Sequence, residues 1–192
     1  MGDVSDMSNS EDVPEIVQRL WDKYSLPENV RKHCIEVAKL AVEMAERARQ
    51  NGYDVDVEAV KLGALLHDIG RAKTHGLEHF VVSGEILRKE GVDEKIVRIA
   101  ERHFSCGITA EEAKALGLPE RDFMPETLEE KIVAFADNLI FDRKRASFDE
   151  FYRKLEELKS KVGEDQKWIV ENSLKRAVKM REELEKVTGM KF

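Results

Sequence analysis

Apolar residues recur at three- and four-residue intervals over almost the whole chain, and nowhere do they alternate with polar ones for long enough to make a strand. A chain patterned in this way buries its hydrophobic side chains by packing helix on helix. Val30, His33, Cys34, Val37, Leu40, Ala41, Met44 and Ala48 trace one buried face of a helix that starts near Pro27 and Glu28 and stops at Gly52. The same spacing predicts helices over 56–69, ended by Gly70, over 77–90, ended by Gly91, and over 93–104. Three hydroxyl residues, each followed three positions on by Glu, announce further starts at Thr109, Thr127 and Ser147. The tail, 148–187, carries two amphipathic helices broken at Gly163, with stripes through Phe151, Tyr152, Leu155 and Leu158 and through Ile169, Ala177, Met180, Leu184 and Val187. The expected fold is an all-α, single-domain helical bundle.

A length of 192 residues suits one domain with a full core. Residues 1–12 are polar and predict a disordered leader; the domain is expected over 13–192, with its motif-bearing core at about 28–142 and C-terminal helices over 147–188. A net charge of -7 argues against general binding of nucleic acid, which calls for a basic face, while leaving a nucleotide or small phosphate ester open. Cys34 and Cys106 fit no CxxC or zinc-finger spacing and read as reduced thiols. No apolar run approaches the roughly 20 residues that span a bilayer, and the acidic N-terminus is unlike a signal peptide, so a cytoplasmic protein is expected, free of membrane and open to homo-oligomer formation.

The segment Leu65-Leu66-His67-Asp68-Ile69-Gly70 sets an imidazole and a carboxylate directly after an apolar helix face. Burying both is costly unless they hydrogen-bond to each other or share a divalent cation, which takes nitrogen and oxygen ligands together. Two further anomalies accompany the pair. His33 lies on the inward face of its helix, and Asp137 sits inside the nearly wholly apolar run from Ile132 to Ile140. Three such groups on separate helices converge more economically on one metal than on three unrelated networks.

The order His33, then His67-Asp68, then Asp137 resembles the H…HD…D signature of the HD superfamily, and the local text is similar to its HDIG subgroup. Glu78-His79-Phe80 through Gly84-Glu85-Ile86-Leu87, and Glu101-Arg102-His103, are similar to further elements of that subgroup; the resemblance covers about 30–140. It implies an HD-type helical bundle and a divalent metal held by His33, His67, Asp68 and Asp137. It also implies a second metal, bridged to the first by Asp68 and held by His79 and His103. The sequence leaves open whether those two histidines bind metal or contact substrate phosphate, and which of Mn, Mg, Fe, Co, Ni or Zn is used.

His75 and His79 form an HxxxH pair, but Gly76 stands where the Glu of an HExxH site belongs, so His75 reads as a loop residue near the site. Arg71 and Lys73 offer positive charge for phosphate beside Asp68, and Arg143, Lys144 and Arg145 offer more or form an ordinary solvated connection between helices. Arg71 replaces the subgroup's usual Lys. Glycine-rich phosphate loops and a GxSxG elbow are absent. The expected function is metal-dependent hydrolysis of a nucleotide or other small phosphate ester, with Asp68, Arg71 and Lys73 serving catalysis. A di-iron oxygenase, which the superfamily also contains, and a non-catalytic nucleotide- or metal-binding signalling module are the alternatives.

Overall fold

A computed structural model describes residues 13–192; the leader expected over 1–12 lies outside the described residues. In chain order the helices are α1 (Glu15–Lys23), α2 (Glu28–Gln50), α3 (Val57–Leu66), α4 (His79–Lys89), α5 (Glu94–Glu101), α6 (Ala110–Ala115), α7 (Leu128–Asn138), α8 (Phe148–Leu158) and α9 (Lys167–Thr188). Short 3-10 turns cover Ile69–Ala72 and Glu164–Gln166, and one two-stranded ribbon joins β1 (Ile140–Phe141) to β2 (Lys144–Arg145). The all-α fold expected from the periodicity is the fold observed. Among the described residues, no helix is long and apolar enough to cross a membrane.

The long α2 is the axis of the core. It packs on α3 and α7 along the predicted face, while α3 also meets α5 and α7, and α4 lies against α5. Helices α8 and α9 pack together, and α9 closes over α2 and α7 through Ala177, Leu184 and Val187. A smaller apolar cluster of Phe80, Val81, Ile108, Ala113 and Phe123, with Phe104 beside it, forms behind the start of α4. Thr109 and Ser147 make complete capping boxes with Glu112 and Glu150, each cap worth about 1 kcal/mol. At Thr127 the box is half formed. Its hydroxyl accepts from the Glu130 N–H, but the Glu130 carboxylate reaches the Glu126 N–H and the Thr127 hydroxyl instead of the Thr127 N–H.

Several boundaries differ from the expectation. Helix α3 ends at Leu66, not at 69, and α5 at Glu101, not at 104. Side chains take the last carbonyls: the Trp21 Nε1–H donates to Leu65 O at 3.1 Å, while the rings of His67 and His103 take Ala64 O and Ala100 O. Gly70 does not stop a helix through a left-handed backbone. It is needed for close approach, because a Cβ there would collide with His79 O and with Ser83, whose hydroxyl accepts from the Gly70 N–H at 2.8 Å.

Two elements went unexpected. Helix α1 spans a stretch with no predicted boundaries, although Val17, Leu20 and Trp21 have helical spacing and are buried. Arg143–Arg145 does lie in the exposed connection between α7 and α8, but that connection is folded as a hairpin, with Ile140 opposite Arg145 and Phe141 opposite Lys144. Strands two residues long are too short for an alternating pattern to be seen.

Candidate metal centre

Five helices deliver six polar side chains to one point. His33 comes from α2, His67 and Asp68 directly follow α3, His79 is the first residue of α4, His103 lies two past the end of α5, and Asp137 is in the last turn of α7. Three of the imidazoles are anchored in the same way, each through Nδ1 to the carbonyl three residues earlier: His67 to Ala64 at 2.5 Å, His79 to Gly76 at 3.0 Å and His103 to Ala100 at 2.5 Å. A carbonyl only accepts, so each Nδ1 carries a hydrogen and Nε2 is the ring atom turned to the centre.

The side chains form two groups that meet at Asp68. In one, Asp137 Oδ1 lies 2.9 Å from His33 Nε2 and 3.2 Å from His67 Nε2. In the other, Asp68 Oδ1 lies 3.4 Å from the Nε2 of both His79 and His103, and those two nitrogens are 3.2 Å apart. The second carboxylate oxygen, Asp68 Oδ2, faces the first group, 3.5 Å from His67 Nε2 and 3.7 Å from His33 Nε2. Asp68 Oδ1 is buried with no hydrogen-bond partner, and such atoms are rare in folded proteins. Two Nε2 atoms this close, beside an unpartnered carboxylate oxygen, need a shared proton or a cation among them. The donor set, imidazole nitrogen with carboxylate oxygen, suits a divalent transition ion. Both groups have atoms spaced closely enough to hold one.

The local charges agree. Burial, and then the neighbouring His103, push His79 down to about 4, which keeps its ring neutral. Burial alone would raise Asp68 and Asp137; His67, together with His103 beside Asp68 and His33 beside Asp137, outweighs it and holds both below the ordinary carboxylate range. Burial likewise opposes charge on His67, yet the fields of Asp68 and Asp137 hold it well above its usual value. The site is built to stabilise positive charge.

A cavity of about 800 Å³ opens onto the His33 side, lined by Glu28, Asn29, Lys32, His33, Asp68, Arg71, His75, Asp142, Arg143 and Lys144, with Val30. Arg71 stands with its Nε 3.3 Å from Asp68 Oδ2, and His75 lies in the loop before α4, where Gly76 led it to be expected. Lys73 lies apart from this cavity. Its ammonium stands over the Tyr24 ring, 5.6 Å from the centroid, and lines a separate groove with Thr74, Glu78 and Lys89. Residues 69–72 wind as a 3-10 turn of about three residues, so positions 71 and 73 face different sides. The sequence reading overlooked Lys32, Glu28 and Asn29, although Asn29 lies one helical turn before His33 on α2. Both thiols are buried and free. Cys34, not Cys106, lies at the centre, its sulfur within 4.8 Å of ligand atoms of His67 and Asp68.

Against known proteins, the family described as HD domain matches residues 30–142. An uncharacterized protein of Methanocaldococcus jannaschii is 59% identical over 129 residues, covering 67% of this chain and 76% of that one. A tRNA (cytidine(56)-2'-O)-methyltransferase of Picrophilus torridus is 51% identical over 109 residues, covering 57% of this chain and 30% of the enzyme. A Ribonuclease Y of Acidothermus cellulolyticus is 32% identical over 153 residues, covering 76% of this chain and 27% of the enzyme. The chain thus spans less than a third of each of these two enzymes.

Proposed function

The chain belongs to the HD domain family, and from that premise we propose that it hydrolyses a nucleotide or another small phosphate ester at a divalent metal centre. The observation that carries this reading is the buried, unpartnered Asp68 Oδ1 facing the Nε2 atoms of His79 and His103, beside the group of His33, His67 and Asp137. His33, His67 and Asp137 would hold one ion and His79 and His103 a second, with Asp68, which turns one oxygen toward each group, available to both. A divalent ion, when bound, supplies a water acidic enough to attack near neutral pH and positive charge against the phosphoryl oxygens.

The remaining roles fall to side chains at the cavity. Asp68 orients the attacking water as well as joining the two groups. Arg71 keeps its Nε on Asp68 and has terminal guanidinium nitrogens that form no hydrogen bond among the described residues, which leaves them for a phosphoryl oxygen as negative charge develops. His75, at the same cavity, adds a donor for the phosphate. The match to part of a Ribonuclease Y favours including phosphodiesters among the substrates, while the methyltransferase name belongs to a protein of which this chain spans under a third.

The test is elemental analysis of the purified protein, then phosphate release from mononucleotides, cyclic nucleotides and dinucleotides with Mn, Mg, Fe, Co or Ni supplied. About two metals per chain and hydrolysis are expected. Failure to bind metal would overturn the centre. Iron with oxygen uptake and no phosphate release would favour the oxygenase, and intact bound nucleotide with every metal would favour a signalling module.

A further inference from the structure

Building on the phosphohydrolase reading, we infer that Arg143 and Lys144 of the hairpin, with Lys32 of α2, form a subsite for a second anionic group, so that the substrate class is a small ester carrying two separated phosphates or carboxylates. All three cations line the cavity at the metal centre. Among the described residues none of them lies within 4.0 Å of a carboxylate, whereas neighbours on the same elements do: Arg31 pairs with Asp22, Lys39 with Glu36 and Arg145 with Glu43. Strand alternation accounts for the contrast within β2, since successive side chains point to opposite faces, Arg145 to α2 and Lys144 to the cavity. Cations without a carboxylate partner at one concave surface are free to pair with an incoming anion.

The backbone supports the same conclusion. Asp142 and Arg143, the two central residues of the hairpin turn, have φ of 43° and 69°. Turns of this kind favour Asn-Gly or Asp-Gly, and a left-handed Arg costs about 1 kcal/mol or more. Glycine at 143 would relax the turn but remove a guanidinium from the cavity. Local strain of this kind accumulates where a side chain must be held in place for binding.

The shape of the cavity defines the class further. A volume of about 800 Å³ is far more than one phosphate fills and lies in the range of nucleotide-sized ligands. No Phe, Tyr or Trp lines it among the described residues, and charged side chains make up most of its wall, so charge provides most of the selectivity. Glu28 and Asp142 share the lining and would repel the next phosphate of a continuing strand, and the net charge of -7 adds to that, which favours a small ester over a nucleic acid.

The test uses two non-hydrolysable probes, propane-1,3-diphosphonate and ethylphosphonate, titrated calorimetrically into the metal-loaded protein. Phosphate release from adenosine 3',5'-bisphosphate and from adenosine 5'-monophosphate is measured alongside. The parent should bind the diphosphonate about tenfold tighter or more, as one added set of charge-assisted hydrogen bonds would give. In Arg143→Gln/Lys144→Gln, and separately in Lys32→Gln, that ratio should fall toward one with metal content and circular dichroism unchanged. Equal binding of the two probes by the parent, or a ratio retained in both variants, would overturn the subsite. So would displacement of the diphosphonate by an oligonucleotide at lower concentration than by adenosine 3',5'-bisphosphate. Absence of phosphate release, with the ratio present in the parent and lost in the variants, would instead count against the phosphohydrolase reading and leave the subsite standing.

Discussion

The two sides of the candidate centre are built differently. On the cavity side the side chains of His33 and Asp137 are 23% and 19% exposed; on the other, those of His79 and His103 are 4% and 1% exposed. The sealed pair is backed by aromatic rings, with Phe80 and Phe104 stacked at 5.2 Å and the His79 ring edge-on to Phe104 at 6.1 Å. Both of its rings are fixed through Nδ1 to backbone carbonyls. The open pair has no such wall. The difference fits a division of labour in the proposed centre, with a preorganised rear group shielded from water and a front group open to solvent and substrate. Asp68 belongs to both.

Because Asp68 joins the two sides, its removal should have the largest effect. Asp68→Ala is expected to bind almost no metal and to lose roughly 10³-fold in activity, as several kcal/mol of charge stabilisation disappear. Helicity should persist, since the surrounding core is aliphatic; elemental analysis, circular dichroism and initial rates check the three parts. Full metal occupancy in this variant would break the centre as drawn.

The next prediction bears on the asymmetry itself. Treated with a chelator, the parent should release metal in two phases, the fast one from the open His33 side and the slow one from the sealed side. His79→Ala and His103→Ala should each lower metal content from about two per chain toward one, abolish the slow phase and reduce activity by about 10- to 100-fold. Unchanged metal content would instead make these histidines phosphate contacts, visible as a raised KM. A single release phase in the parent would mean the two sides do not differ in access.

How far the site could be read in advance follows the same geometry. The candidate ligands were legible because a His or Asp on an apolar helical face contradicts its surroundings, as at His33 and Asp137, which the structure leaves half-buried. The positions of helix ends were not, because His67 and His103 close α3 and α5 by taking carbonyls with their own rings, and periodicity carries no record of that. Nor does it show that a 3-10 turn separates Arg71 from Lys73. The cavity wall was least legible. Lys32 and Lys144 look like any solvated lysine until the fold brings both to the wall of one cavity, and a ribbon of two-residue strands leaves too little pattern to detect.

A smaller effect should come from behind the sealed pair. Arg88 on α4 grips the buried Glu101 on α5 through two hydrogen bonds of 2.7 and 2.8 Å, joining the helices that carry or precede His79 and His103. Gly84 admits the contact, since a Cβ there would meet the Glu101 carboxylate. Glu101→Gln leaves Arg121 without its counter-charge and Arg88 with Glu94 alone. Both arginines are partly exposed, which screens the loss, so a destabilisation of about 2 kcal/mol is expected, with metal affinity weakened less than tenfold. Urea unfolding and metal titration measure the two. If only stability moves, the ion pair holds the fold without setting the spacing of the histidines.

The smallest effect is expected at Cys106, which lies near His103 in sequence yet contacts Asn138, its sulfur 3.7 Å from Nδ2, while Cys34 is the thiol at the centre. Cys106→Ser should keep metal content and activity at neutral pH. Its difference from the parent should emerge in alkali. Burial pushes the Cys106 thiol up to about 12 from an ordinary 9.0, the nearby Arg176 opposing only weakly. A folded value above the unfolded one means that this contribution is complete below pH 9 and is lost as pH rises toward 12, because the unfolded chain releases the proton first. Between pH 8 and pH 10 the parent should therefore lose about 1.4 kcal/mol that the serine variant, with nothing to titrate there, does not. Urea midpoints of both proteins at the two pH values measure this. An equal decline in both would mean the Cys106 thiol ionises as readily folded as unfolded, and loss of metal from the variant at neutral pH would move Cys106 into the sealed side of the centre.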